Sequence, residues 1–261
     1  DGSLKCWGDN THGQLGDGST TDRTSPVLVN LGVGNTAVAI SAGHSHTCAI
    51  LNDGTLKCWG QDNNGQVGDG GSNSDQNSPV TINVGSGLSA VMISAGIYHS
   101  CAVLDDDSIK CWGLNNNGQL GDGTTTNRTT PVSVHLDAGK TAFDVTVGMH
   151  HTCALVDSHT ECWGKNDHYQ TGNTDNGTND LLSPVIASRA MTALLNGDDH
   201  TKLRAISAGY NHTCQISDIG MFCWGDNDNN QIPGNSHYDW YKASDGYSGF
   251  SSGIPSYTSG S

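Results

Sequence analysis

The chain has 261 residues, 34% of them hydrophobic, with 35 glycines, and its 11 basic side chains against 26 acidic ones set the net charge at −15. Such a surface repels phosphate backbones, whose recognition rests on cationic contacts, so a nucleic-acid partner is excluded. No apolar run of about 20 residues is present to cross a membrane as a helix, and a glycine-rich composition suits short strands and tight turns rather than a helical bundle.

Taken in chain order, the first landmark is Cys6-Trp7-Gly8, which returns as Cys58-Trp59-Gly60, Cys111-Trp112-Gly113, Cys162-Trp163-Gly164 and Cys223-Trp224-Gly225. Behind it, in constant phase, come Gly13-Gln14-Leu15-Gly16-Asp17-Gly18 and its copies at 65–70 and 118–123, and then Pro26-Val27, Pro79-Val80, Pro131-Val132 and Pro184-Val185. Ser41-Ala42-Gly43, Ser94-Ala95-Gly96 and Ser207-Ala208-Gly209 follow. The unit closes on His46-Thr47-Cys48, His99-Ser100-Cys101, His151-Thr152-Cys153 and His212-Thr213-Cys214. Strands are predicted near Val27–Val29, Val38–Ser41, Thr47–Leu51 and Leu56–Trp59, separated by clusters of Gly, Asn, Asp and Ser. A period of about 50 residues with four strands per unit is the signature of a β-propeller blade.

These motifs resemble the regulator-of-chromosome-condensation repeat propellers, over residues 1 to about 234. The resemblance implies an all-β propeller, seven-bladed when complete. Its members serve as a nucleotide-exchange factor, a chromatin binder and an inhibitor of a secreted β-lactamase, so it carries fold better than function. The propeller is assigned to residues 1–235, as about four full blades with partial ones. Residues 236–261, rich in Tyr, Ser and Gly, are read as a tail or cap.

Eight cysteines pair by hairpin geometry. Cys48 opposite Cys58 leaves the turn Asn52-Asp53-Gly54, with Gly at the left-handed third position that such turns favour. Cys101 opposite Cys111 leaves Asp105-Asp106-Asp107, where Asp replaces Gly. Cys153 with Cys162 and Cys214 with Cys223 imply even-numbered turns. Opposed strand positions lie within disulfide reach. The zinc alternative lacks the close C-x-x-C spacing. Disulfides at this density predict an oxidising setting, secreted or at the cell surface. Cys6 is the odd one. Asp1-Gly2 aligns with Asp53-Gly54, so the sequence opens inside a turn, and a partner for Cys6 is expected upstream of residue 1 or in a neighbouring subunit. The start at Asp1, without Met, reads as a mature form or a fragment.

Trp7, Trp59, Trp112, Trp163 and Trp224 alternate with the cysteines and are expected in the core between blades. The histidines at 46, 99, 151 and 212 recur in every unit, which predicts hydrogen bonds joining strands or blades; a catalytic histidine occurs once, beside a nucleophile and an acid. Asp17, Asp69 and Asp122 are expected to cap tight turns. Asp226-Asn227-Asp228-Asn229-Asn230 has oxygen ligands at alternate positions but lacks the glycine and the bidentate glutamate of a calcium loop, so no cofactor is expected, calcium being the one candidate. Asn127 and Asn176 head glycosylation sequons on predicted loops, which makes a glycan a candidate. No hydrolase elbow, phosphate loop or dinucleotide fingerprint occurs. The reading is a non-enzymatic extracellular propeller that binds a protein or self-assembles. The alternatives are an enzyme inhibitor, a lectin or a polysaccharide-active enzyme.

Overall fold

The computed structural model describes residues 2–187, 203–218, 220–229 and 231–232. The tail read at 236–261 lies outside the described residues. Those described are strands and loops, without a helix.

Three four-stranded antiparallel sheets follow one another. The first holds β3 (Ala37–Ala42), β4 (His46–Leu51), β5 (Leu56–Gly60) and β6 (Gln76–Thr81). The second holds β7 (Ala90–Ala95), β8 (His99–Leu104), β9 (Ile109–Gly113) and β10 (Arg128–Ser133). The third holds β11 (Ala142–Val147), β12 (His151–Val156), β13 (His159–Gly164) and β14 (Leu181–Ile186). A two-stranded sheet, β1 (Lys5–Gly8) with β2 (Arg23–Leu28), precedes them. A three-stranded one, β15 (Leu203–Ala208), β16 (His212–Ser217) and β17 (Gly220–Gly225), follows. The Pro-Val strand therefore closes a blade rather than opening one: β6 pairs with β5, and β2 with β1. Proline lacks an N–H for the ladder, so it belongs on an edge strand. The first strands of the sheets, β3, β7 and β15 with Ser-Ala-Gly and β11 with Thr146-Val147-Gly148 in its place, pack on one another from blade to blade as an inner row.

The cysteine pairing follows the ladder. Cys48 stands opposite Cys58, Cys101 opposite Cys111, Cys153 opposite Cys162 and Cys214 opposite Cys223, and each pair is a disulfide. The turns have the backbone these sequences require: Gly54 has φ +80°, and Asp107 takes the same left-handed region at 63°. Cys6 is a free thiol, half-buried, and burial pushes its pKa up.

The apolar core is a series of layers between blades. Ile50, Leu56, Val67 and Ile82 of one blade meet Ala90, Ile93, Leu104 and Trp112 of the next. Trp59, Trp112 and Trp163 are fully buried and Trp224 is nearly so. Trp7 is a correction: it is 62% exposed. A buried tryptophan rests on the Gly-Gln loop of the preceding blade, and none precedes Trp7 among the described residues.

Candidate functional site

The repeated polar residues build the joint between blades. The Gln66 carbonyl accepts from Trp112 Nε1 and from Ser100 Oγ, both at 2.9 Å. The Ser100 hydroxyl, having donated, accepts from His46 Nε2 at 2.8 Å. The same arrangement joins Trp163, Thr152 and His99 at the Gln119 carbonyl. It recurs with Trp224, Thr213 and His151 at the Gln170 carbonyl. The hydroxyl's direction makes Nε2 the protonated ring nitrogen. Nδ1 of His46, His99 and His151 is left buried without a partner. Burial drives His46 down to about 4 and His151 to about 3, and His99 well below its ordinary value. These histidines are neutral struts and not general bases.

Two glycine positions are set by close approach. A Cβ at Gly68 would lie 2.5 Å from the Trp112 ring, and one at Gly43 would lie 2.3 Å from the Gly96 carbonyl oxygen of the next blade. The Gly-Gln loop thereby seats the indole, and adjacent inner-strand turns touch backbone to backbone.

The sequence reading did not single out the residue three places after each tryptophan. Asn10 Oδ1 accepts from the Leu15 N–H, and its Nδ2 donates to Asp17 Oδ1 and to the Ser19 and Thr21 carbonyls. Asn115 does the same with Leu120, Asp122, Thr124 and Thr126. Asn166 and Asn227 accept from Thr171 and Ile232. The signal available was Trp-Gly-x-Asn, present in four of the five units, with Asp62 in the other. Asp17 and Asp122 cap Ser19 and Thr124 and pair with Arg23 and Arg128, while Asp69 caps Gly71. In the candidate calcium stretch, the Asp226 carboxylate accepts from the Asp228 N–H and the Asn227 carboxamide from the Ile232 N–H, so these two side chains help build the turn. No three His, Cys, Asp or Glu side chains converge on a metal position among the described residues. Asn127 and Asn176 are exposed, and Asn127 Oδ1 also accepts from the Asn115 N–H.

With the shared residues consumed by the joints, the surface is made by those that vary. The turns from the first to the second strand of each blade carry His44-Ser45, Ile97-Tyr98, Met149-His150 and Tyr210-Asn211. They lie side by side: the His44 N–H donates to the Gly96 carbonyl and the Met149 N–H to the Tyr210 carbonyl. Tyr98 stacks on His150 with ring centroids 5.5 Å apart, and Tyr210 is 58% exposed. The turns thus line one end of the blades with aromatic groups, beside the Gly-Gln loops whose Asp167 and Asp180 lie near His150. At the opposite end, a register break in each inner strand turns Val38, Val91 and Phe143 outward. Bulges commonly re-aim a side chain in this way.

The chain belongs to a family of repeat propellers: residues 1–50, 53–103 and 106–155 match the Regulator of chromosome condensation (RCC1) repeat, and a second description of that repeat matches 37–66, 91–119 and 203–231. Among individual proteins, the ultraviolet-B receptor UVR8 of Arabidopsis thaliana is 30% identical over 230 residues, 87% of this chain and 49% of that protein. The E3 ubiquitin-protein ligase HERC2 of Homo sapiens is 34% identical over 173 residues, 65% of this chain and 4% of that protein. In structure, human WBSCR16 superposes with a TM-score of 0.75 at 19% identity, over 87% of this chain and 58% of that one. Yeast RCC1 (Prp20) bound to Kap60 gives 0.70 at 20%, over 92% and 57%. The chain therefore spans about half or less of the length of these relatives.

Proposed function

We propose that this chain is a non-enzymatic, extracellular protein-binding propeller whose contact surface is the set of aromatic turns around Tyr98, His150 and Tyr210. The observation that carries the reading is the division of labour within the repeat. Recurrent histidines, tryptophans and hydroxyls are locked in joints, while neighbouring, variable turns present aromatic side chains of the kind enriched in interface hot spots. A solved relative of the same fold is bound to a protein, Kap60. The four disulfides support an oxidising location, because thiols in the cytosol are kept reduced.

Two measurements test the parts separately. Protein taken from its native source and alkylated before reduction should show the eight paired cysteines blocked; alkylation of those eight would remove the extracellular setting. Immobilised wild type should retain a protein from the source's extracellular fluid, and Tyr98→Ala/Tyr210→Ala should lose it at unchanged melting temperature. Equal retention by both would move the contact surface elsewhere.

A further inference from the structure

The second Gly-Gln loop breaks the rule followed by its neighbours. Asp62 stands where Asn10 and Asn115 stand, 1% exposed, with its Oδ1 accepting from the Val67 N–H at 2.9 Å as the asparagines do. The other half of the side chain is reversed in sense. Where Asn10 and Asn115 point an Nδ2 donor at an aspartate oxygen and two backbone carbonyls, Asp62 points Oδ2, which is buried and has no hydrogen-bond partner. The aspartate at the corresponding place is Asp69.

The surroundings compound the mismatch. Asp17 and Asp122 are neutralised by Arg23 and Arg128, but Asp69 accepts from neutral donors, the Gly71 N–H at 2.7 Å and the Gln76 amide at 3.0 Å, and no cation among the described residues pairs with it. Asp75 accepts from the Asp62 N–H with one oxygen, and its other oxygen meets His12 Nδ1, from the preceding blade, at 2.7 Å. The charged and titratable groups around Asp62 are thus Asp69, Asp75 and, beyond Asp75, His12. An ionised Asp62 would leave a buried, unpartnered carboxylate oxygen in the field of two further carboxylates, which is costly.

We infer that Asp62 takes up a proton in the folded protein under mildly acidic conditions and is ionised at neutral pH, its Oδ2–H when present donating where the asparagines of the neighbouring loops donate, so that this loop gains or loses its internal bond with pH. A carboxylic acid matches a carboxamide in shape and supplies one donor, here in a loop one residue longer than its neighbours, since Asp62 bonds Asp75 where Asn10 bonds Asp22. The arrangement agrees with the direction of its acidity. Burial first, then Asp69 and Asp75, raise Asp62 from 3.8 to about 6, against the opposing pull of the Val67 N–H. Through Asp75 and His12 the loop touches the preceding blade, so its loss would be felt at a joint between blades.

Asp62→Asn restores the residue used in the other units and is expected to fold. Its melting temperature should exceed that of wild type by several degrees at pH 7.5, and the excess should shrink as pH falls from about 6 to about 4. Nuclear magnetic resonance of the Asp62 carboxyl carbon in the folded wild type should show a midpoint near 6. A midpoint near 4, or a difference between the two proteins independent of pH, would overturn the proposal. So would a rise in wild-type melting temperature on adding calcium chloride at pH 7.5 that Asp62→Asn does not share, because a metal ion and not a proton would then occupy the place.

Discussion

Acid should open this propeller through its buried histidines. His46, His99 and His151 are neutral in the fold, and no acceptor or carboxylate faces their Nδ1 to stabilise a second proton. Burial sets the depression of all three, with neighbouring histidines adding to it for His99 and His151. The unfolded imidazoles keep their ordinary value of about 6.5. Their folded values are lower, so the stability they lend is full above about 6.5 and is lost as pH falls below it, where the unfolded chain binds more protons. At pH 5 the loss is about 2 kcal/mol for each histidine, about 6 kcal/mol for three, against a total stability of about 5–15 kcal/mol for a typical domain. Urea unfolding between pH 7.5 and 5 reads this as a loss that is small above about pH 7 and steepens below about pH 6 toward about 1.4 kcal/mol per pH unit for each histidine. Asp62 acts with the opposite sign between about 4 and about 6, so the slope is best measured on Asp62→Asn. His46→Gln keeps a donor near Ser100 and cannot titrate; it should remove about a third of the slope. A flat profile between pH 7.5 and 5 would refute the assignment of neutral, desolvated struts.

Trp112→Ala should cost about 3–5 kcal/mol in urea unfolding, as expected for a buried large aromatic, whereas exposed Trp7→Ala should stay within about 0.5 kcal/mol. Equal losses would mean that Trp7 is covered in the protein in solution. Replacing Cys101 and Cys111 together by Ala should cost about 2–3 kcal/mol on the chain-entropy model for so short a loop, and a variant as stable as wild type would show that the ladder alone holds that hairpin.

The architecture was legible because the Cys-Trp-Gly and His-Thr/Ser-Cys landmarks recur in constant phase even where others degrade, and because hairpin turns fix which cysteines oppose. Gly54 and Asp107 mark the turn, and Cys48 and Cys101 then face their partners without further information. The blade boundary was less legible. Sequence order places Pro-Val before Ser-Ala-Gly, but which sheet each strand joins is settled by pairing across a long loop, which periodicity does not report. Trp7 misled for a related reason: its local motif is identical to that of Trp59, yet burial belongs to the loop that lies on the indole and not to the motif. The Trp-Gly-x-Asn signal was visible but carries meaning only once Nδ2 is seen among acceptors.

A repeat also serves as its own control, because each position is sampled several times in one molecule. Lys57 and Lys110 occupy a strand position that Glu161 takes in the third sheet. Glu161 is buried, but Lys140 and His159 meet its carboxylate. Burial alone would raise its pKa; the His159 and Lys140 contacts more than offset this and leave it below the ordinary carboxylate value. That exchange is compensated, and it needs no purpose beyond packing. Asp62 is also a buried acid at a position held by another residue type, but no cation accompanies it, and Gln76 removes the one that its neighbours possess. Two acids buried in the same scaffold thus have opposite standing. The compensated carboxylate is part of the framework, and the uncompensated one leaves a free-energy difference that pH can draw on.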